Sequence, residues 1–438
     1  MSRRRQHAPL RVLLNNLHVG HLLKEPGGAI EFRYAESWLS GEAATPVSLS
    51  LPLREDAYRG EPVVAVFENL LPDSDKLRTR VAEKVGAKGT DAYSLLSEIG
   101  RDCVGALQFV PEDDPSAYDT SRIEGEPVSD EEIEKVLKNL VQAPLGLDRD
   151  DAFRISVAGA QEKTALLLHD GRWLKPHGTT PTTHILKTKI GTLQNGIDLS
   201  NSIENEFYCL KLLAAFGLGV NNAQIRNFGE TKALVVERFD RVWSESKRLL
   251  RRPQEDFCQA LSFPPTRKYQ SDRGPGMVEI LTLLKGSDSP ATDQKAFLKA
   301  QILFWLIGAT DGHAKNFSIF LGRRGSFRLT PFYDVLSAQP SLDANQIHEK
   351  QMKLAMFVGD SRHYAMEYIH GRHFVQTAKR AGVPGTIARE ALAEVAEEAE
   401  SALRTIEGQL PSGFPEEIHA SVRSGLLSRM KHIDLAAS

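Results

Sequence analysis

The stretch IGATDGHAKNFSIF, Ile307 to Phe320, decides how this chain of 438 residues is read. Asp311, His313, Lys315 and Asn316 interrupt a run that is apolar on both sides. After Asn316 the pattern FSIFLGRRGSFRLTPFYD reads as a β-hairpin: Phe317, Ile319 and Leu321 alternate outward, GRRGS turns, and Phe327 and Leu329 alternate on the return. A turn centred near Arg324 sets Asn316 opposite Phe332, which brings Asp334 within about two residues of that position, on the order of 7 Å. An Asn and an Asp so placed can share a ligand, and hard oxygen donors of this kind suit magnesium.

Asp311 and Asn316 also have the D-x-x-x-x-N spacing of a phosphotransferase catalytic loop, where the Asp accepts the proton of the substrate hydroxyl and the Asn holds metal. Alone the spacing is weak, because a turn at Asp311-Gly312 beside a satisfied core histidine, His313, would also account for it. The order of the other parts adds context. SVAGAQEK, Ser156 to Lys163, offers small residues that let backbone amides approach phosphates. Lys187 ends the apolar strand HILK, and Glu206 lies on the next helix, either orienting that lysine or as a surface charge. VVERFDR ends a strand where a hinge, Glu237 to Phe239, would meet an adenine. Loop, lysine, helix, hinge, catalytic loop and a later Asp predict an α+β, eukaryotic-protein-kinase-like two-lobed fold that uses ATP and Mg2+ in a cleft. The expected division is an N-terminal α+β subdomain over 1–115, an N-lobe over 116–240 and a mainly helical C-lobe over 241–438.

Composition is compatible with this. The 54 basic and 57 acidic residues give a net charge of −3, so no global cationic field exists and any nucleic-acid contact must be local. Cys103, Cys209 and Cys258 lie far apart without a C-x-x-C pair, which argues against a disulfide framework or a zinc site and fits a reducing cytoplasm. The N-terminal apolar run is broken by Asn15, Asn16 and His18, so neither signal peptide nor membrane anchor is expected. Locally, LLPDSDKLRTRVAEKVGA reads as a helix, an acidic turn-rich segment near 111–125 as a connection, and Ser129 with Glu132 as a capping box. Asp170-Gly171 marks a turn between strands, and Phe207, Leu210, Leu213 and Phe216 mark a helix stopped by Gly217 and Gly219. From Arg241 onward the patterns are read as mostly helical. Two basic stretches, Arg3 to Arg5 and KRLLRR (Lys247 to Arg252), are read as solvated surface.

Ten separated segments, in order, resemble one known family: FENLLPDS, LLSEIGRDCVGAL, FRISVAGAQEKTALL, TPTTHILK, ENEFYC, ALVVERFDR, RPQEDFCQAL, LIGATDGHAKNFSIF, LTPFYDVLSA and KLAMFVG. They are similar to those of the HipA kinase toxins of type II toxin-antitoxin systems, across essentially the whole chain. The resemblance implies a serine/threonine protein kinase that phosphorylates an aminoacyl-tRNA synthetase, glutamate–tRNA ligase foremost, and so arrests growth. It implies Asp311 as base, Asn316 and Asp334 as Mg2+ ligands and Lys187 as the nucleotide lysine. It further implies nucleotide contacts at Ala158, Gly159, Ala160, Gln161, Glu162 and Lys163, at Glu237, Arg238 and Phe239, and at His313, Ala314, Lys315 and Tyr333. Ser156 matches the family's autophosphorylated serine, whose modification should inactivate the enzyme. A HipB-like helix-turn-helix antitoxin and operator DNA are the implied partners, with Lys379 and Arg380 matching a DNA-contacting region. Unlike ordinary protein kinases, the chain has no three-glycine loop, no glycine after Asp334, and His313 where a lysine is usual. Two rival readings are a kinase-fold binding subunit that no longer transfers phosphate and a small-molecule phosphotransferase.

Overall fold

The computed structural model describes residues 7–112, 122–147, 153–159 and 161–433. The chain forms two compact units. The first comprises Met1–Thr188, Arg226–Thr266 and Ile319–Ser326; the second comprises Lys189–Ile225, Arg267–Ser318 and Phe327–Ser438.

In the first unit, an antiparallel sheet runs in the order Tyr58–Arg59, Ile30–Tyr34, Leu17–Lys24, Leu10–Leu14, Leu107–Pro111. Helices Glu61–Glu68, Asp75–Val85 and Ala92–Ile99 accompany it. The predicted helix after Pro72 is the second of these; Ser74 caps its N-terminus by accepting from the Leu77 amide, and Gly86 closes it in the left-handed conformation. A second antiparallel sheet runs through Thr231–Glu237, His184–Lys187, Lys163–His169, Arg172–Pro176 and Gly125–Pro127. The Asp170-Gly171 turn joins two of these strands, both residues having positive φ (49° and 74°), as a two-residue hairpin of the I′ kind requires. Phe153, Ile155, Val157 and Ala165 pack in one cluster with Val12, Phe32, Phe67 and Phe109, and Ile133, Leu137, Leu166, Trp173 and Val235 belong to a second. Ser129 and Glu132 form the predicted capping box on the helix Asp130–Lys138.

The stretch from Arg241 departs from the helical reading. Arg241–Trp243 pairs with Leu249–Arg251 as a hairpin, and Gln254–Asp256 is a strand. KRLLRR is therefore not simply a solvated surface: Leu249 and Arg251 alternate inward, and Arg251 is 2% exposed. The charge run hid a strand because the partner of Arg251, Asp102, is distant in sequence.

The second unit is mainly helical. Pro290–Ile307 is its central helix, packed by Ser202–Ala215, Met277–Leu284, Gly371–Arg380, Gly385–Glu407 and Glu416–Met430. It carries Phe297, Leu298, Ile302, Phe304, Trp305 and Ile307 buried around its circumference, as a helix enclosed on all sides must. Its one buried lysine, Lys299, pairs with Glu394 and Glu398 of Gly385–Glu407. Lys353–Val358 and His363–Ala365 form a further hairpin that the helical reading missed. No helix among the described residues is long and apolar enough to cross a membrane.

Glu255, 1% exposed in the first unit, yields a pH prediction. Burial pushes its carboxyl up to about 8, although the Leu49 amide donates to it at 2.8 Å and Ser48 also stabilises its charge. The folded state thus keeps a proton that the unfolded chain loses near the ordinary value of 4.5. Stability conferred by the neutral form falls as pH rises through that window, by up to about 1.4 kcal/mol per pH unit. Glu255→Gln should therefore gain melting temperature relative to wild type at pH 8 and gain less at pH 5. Equal differences at both pH values in parallel thermal melts would refute the assignment.

Candidate active site

Each unit carries its own group of the predicted site residues. In the second unit the central helix ends at Gly308, which caps it in the left-handed conformation (φ 74°), and the Ala309 amide returns to the Phe304 carbonyl. The chain then folds tightly over 311–316. The amide of His313 and Nδ2 of Asn316 both donate to the Asp311 carbonyl, at 2.8 and 2.7 Å, and the Asn316 amide donates to the His313 carbonyl at 2.9 Å. His313, Ala314, Lys315 and Asn316 are buried, whereas the Asp311 side chain is 61% exposed. A fixed backbone under an exposed carboxylate is the arrangement expected of a group that meets a substrate.

A residue that sequence reasoning missed orients that carboxylate. The Tyr269 hydroxyl donates to Asp311 Oδ1 at 2.5 Å, and the Tyr269 ring stands edge-on to the His313 imidazole, centroids 4.8 Å apart. Tyr269 lies 42 residues before Asp311 in an irregular segment, so no local spacing could have revealed the pair.

The hairpin register matches the expectation. The Thr330 amide donates to the Ser318 carbonyl at 3.0 Å, which sets Asn316 level with Phe332. Phe332 is held on its other side by a parallel bridge with Val220, through hydrogen bonds to Gly219 and Asn221. Ser337 is clamped by a two-way carboxamide bond to Asn205, at 2.8 and 2.9 Å, and donates to the Ile307 carbonyl. Between these anchors Asp334 adopts φ 58°, a left-handed conformation that a non-glycine residue rarely takes. The Tyr333 hydroxyl donates to the Lys315 carbonyl at 2.8 Å, tying this segment to the Asp311 loop.

In the first unit the Ser156 to Lys163 loop is docked on the segment that follows Phe67. Ser156 is fully buried and its Oγ donates to the Leu70 carbonyl at 2.7 Å. Gly159 forms a parallel bridge with Pro72 at φ 110°, a backbone conformation that residues with a side chain rarely adopt, so the position favours glycine. Glu162 pairs with Arg80 at 2.9 Å, Gln161 donates to the Thr188 carbonyl at 2.7 Å, and Lys163 Nζ donates to the Ala158 carbonyl. Ala160 lies outside the described residues. Lys163 and Lys187 are direct cross-strand partners, 6% and 7% exposed, so two ammonium groups share one face of the sheet. Like charges directly opposite are unfavourable unless oxygens gather around them, and a phosphate chain would supply such oxygens.

Glu237 ends its strand exposed; Arg238 is buried, its amide donating to the Thr183 carbonyl and its guanidinium held by Asp240, Asp102 and the Cys103 carbonyl. Phe239 packs edge-on against Phe320. Glu206 is 2% exposed, so it is a buried helix position and not a surface charge. Lys379 and Arg380 are exposed in the last turn of Gly371–Arg380; Arg380 donates to the Gly359 carbonyl and lies over the Phe357 ring.

Family models match in two blocks, a HipA N-terminal domain over residues 10–110 and a HipA-like C-terminal domain over 155–403. The chain belongs to the HipA-like kinase family. It is 34% identical to Y4mE of Sinorhizobium fredii, which carries the name of a kinase, over 89% of this chain and 90% of that one. It is 28% identical to the serine/threonine-protein kinase toxin HipA of Shewanella oneidensis, over 79% of this chain and 78% of the relative. The solved structure of Shewanella oneidensis HipA, in complex with HipB and its operator DNA, superposes with a TM-score of 0.79 at 26% identity, covering 97% of both chains. The fold is thus that of HipA, a protein-kinase-like α+β fold, and kinase relatives imply use of ATP.

For this HipA-like chain, Tyr269→Phe should lower kcat for ATP-dependent phosphorylation by about tenfold with an unchanged KM for ATP, because only the orientation of Asp311 is lost. Steady-state kinetics on a variant with wild-type melting behaviour decides it, and an unchanged kcat would remove Tyr269 from the site.

Proposed function

We propose that this chain is an ATP-dependent serine/threonine protein kinase toxin whose target is a serine of an aminoacyl-tRNA synthetase, glutamate–tRNA ligase foremost. The observation that carries the reading is the exposed Asp311, oriented by Tyr269, beside an Asn316 whose hairpin register leads to Asp334. In the reaction Asp311 accepts the proton of the attacking serine hydroxyl, while Lys163 and Lys187 bind phosphate oxygens. The amides around Gly159 approach the phosphates, and the backbone of Glu237 to Phe239 reads the base, since the Arg238 side chain is already engaged.

The residues fit a magnesium ion. Asn316 Nδ2 is committed to the Asp311 carbonyl, which leaves Oδ1 as the acceptor, and Asp334 adds a carboxylate. Among the described residues no group of three or more His, Cys, Asp or Glu is placed to hold a metal ion, so Asn316 and Asp334 would share it with phosphate and water oxygens, as Mg2+ prefers. When bound, the ion would offset the negative charge of the phosphates.

Ser156 is the proposed site of self-inactivation. Its buried Oγ donates to Leu70, and a phosphate dianion has neither that donor nor a tolerance for that apolar setting. The modified loop would have to leave its dock, withdrawing Gly159 and Lys163 from the nucleotide. By analogy with the Shewanella complex, a HipB-like antitoxin binds the chain in the cytoplasm and the pair represses its operon, with Lys379 and Arg380 beside operator phosphates.

Incubation with radiolabelled Mg-ATP should label the wild type on Ser156, located by mass spectrometry. Asp311→Asn and Asp334→Asn should each lose labelling by roughly a thousandfold while melting as wild type. Label transfer to a synthetase in cell lysate is expected from the wild type alone. Labelling that survives Asp311→Asn, or that falls elsewhere than Ser156, would overturn the corresponding role.

A further inference from the structure

The two proposed nucleotide-contacting elements of the first unit, the Ser156 loop and the Glu237 to Phe239 hinge, are joined by one residue belonging to neither. Asp102 lies in the N-terminal domain block and is 1% exposed. Its main-chain carbonyl accepts the Ser156 amide at 3.0 Å. Its carboxylate accepts from Arg238 of the hinge at 3.3 Å, from Arg241 at 2.9 Å and from Arg251 at 3.0 Å. It also accepts the Thr182 amide and hydroxyl, at 3.0 and 2.7 Å, and Thr183 next door accepts the Arg238 amide at 2.8 Å. The loop after Asp102 closes the frame. The Gly105 amide donates to Asp240 at 2.7 Å, and the Cys103 carbonyl accepts from both Arg238 and Arg241.

We propose that Asp102 is a positioning residue through which the N-terminal domain sets the phosphate loop and the base-reading hinge at a fixed spacing. The inference rests on the nucleotide roles proposed above, and it assigns that domain a part in nucleotide selection. Sheet hydrogen bonds alone cannot do this, because Ser156 precedes its strand, Lys163–His169, and Arg238 follows Thr231–Glu237. Both sit in irregular chain, where single backbone bonds to Asp102 and Thr183 are supplemented by side-chain bonds. A carboxylate is required: each of its oxygens meets only donors, so an amide nitrogen at either place would face another donor.

Asp102→Asn is the direct test, with Arg251→Gln as the second variant, since Arg251 touches Asp102 but neither the loop nor the hinge. Amide hydrogen exchange without nucleotide should show faster exchange at both Ser156 and Arg238 in either variant whose melt remains cooperative. With ATP, KM should rise roughly tenfold while kcat at saturation stays within about twofold, and the preference for ATP over GTP should narrow. A purely structural role would lower the melting temperature without moving that preference. Exchange that quickens at only one segment, or an unchanged KM and ATP-to-GTP ratio in a folded variant, overturns the proposal. A wild type that binds no ATP overturns the kinase reading itself, and the exchange experiment still decides whether Asp102 holds both segments.

Discussion

The first unit depends on a buried ion cluster in which three guanidiniums, Arg238, Arg241 and Arg251, surround two carboxylates, Asp102 and Asp240. Burial alone would raise the Asp102 carboxyl, but Arg241, Arg251 and Arg238 outweigh it and hold the group well below the usual carboxylate range. Burial and the nearby Arg238 charge push Arg241 down to about 10, which still leaves it protonated at neutral pH. The cluster carries one surplus positive charge, and main-chain carbonyls of Cys103, Gly105, Thr179 and Thr182 accept the remaining donors. Buried ion groups of this kind roughly break even against apolar packing, whereas removal of a single partner costs about 3–5 kcal/mol. Their contribution is geometric. They hold three irregular segments, 102–105, 179–183 and 238–240, that lie outside the strands of the sheets.

The second unit solves the same problem differently. Its proposed catalytic loop hangs from a helix end: Pro290–Ile307 is enclosed by other helices, Gly308 turns the chain, and the polar loop closes on its own carbonyls. Burial of His313, Lys315 and Asn316 consumes the flexibility that would otherwise surround Asp311. The left-handed Asp334 stores roughly 1–3 kcal/mol of backbone strain, and the anchors at Phe332 and Ser337 on either side are what sustain it. Strain between two rigid anchors is commonly found where a side chain must face a ligand in place of the solvent.

What the sequence made legible followed from local rules. The hairpin register was readable because alternation and a GRRGS turn fix it together, and the Ser129 capping box, the Asp170-Gly171 turn and the Gly217 stop each obey short-range stereochemistry. The strand ending at Lys187, the strand ending at Glu237 and the tight turn over 311–316 were readable for the same reason, being local patterns. What escaped were pairs made at long range. Tyr269 with Asp311, Arg80 with Glu162, and Asp102 with Arg251 are separated by 42, 82 and 149 positions, and no periodicity links them. Arg251 escaped for a further reason: a run of basic residues looks solvated until its buried counter-charge is known. The strands after Arg241 were obscured similarly, since short strands rich in charge imitate neither a helix face nor a clean alternation.

Lys163 and Lys187 show how the docked loop and the charge pattern constrain each other. Facing positions on neighbouring strands bring their side chains to one face of the sheet, and both are nearly excluded from water. Neither could remain charged there without oxygen ligands, since desolvation of an ammonium costs several kcal/mol. For Lys163 one such oxygen is the Ala158 carbonyl, which is available only while the loop lies against Pro72 with Gly159 at positive φ. The loop's docked conformation and the lysine's charge therefore sustain each other. On the role proposed for Ser156, a dianion created there would form inside the dock and break it.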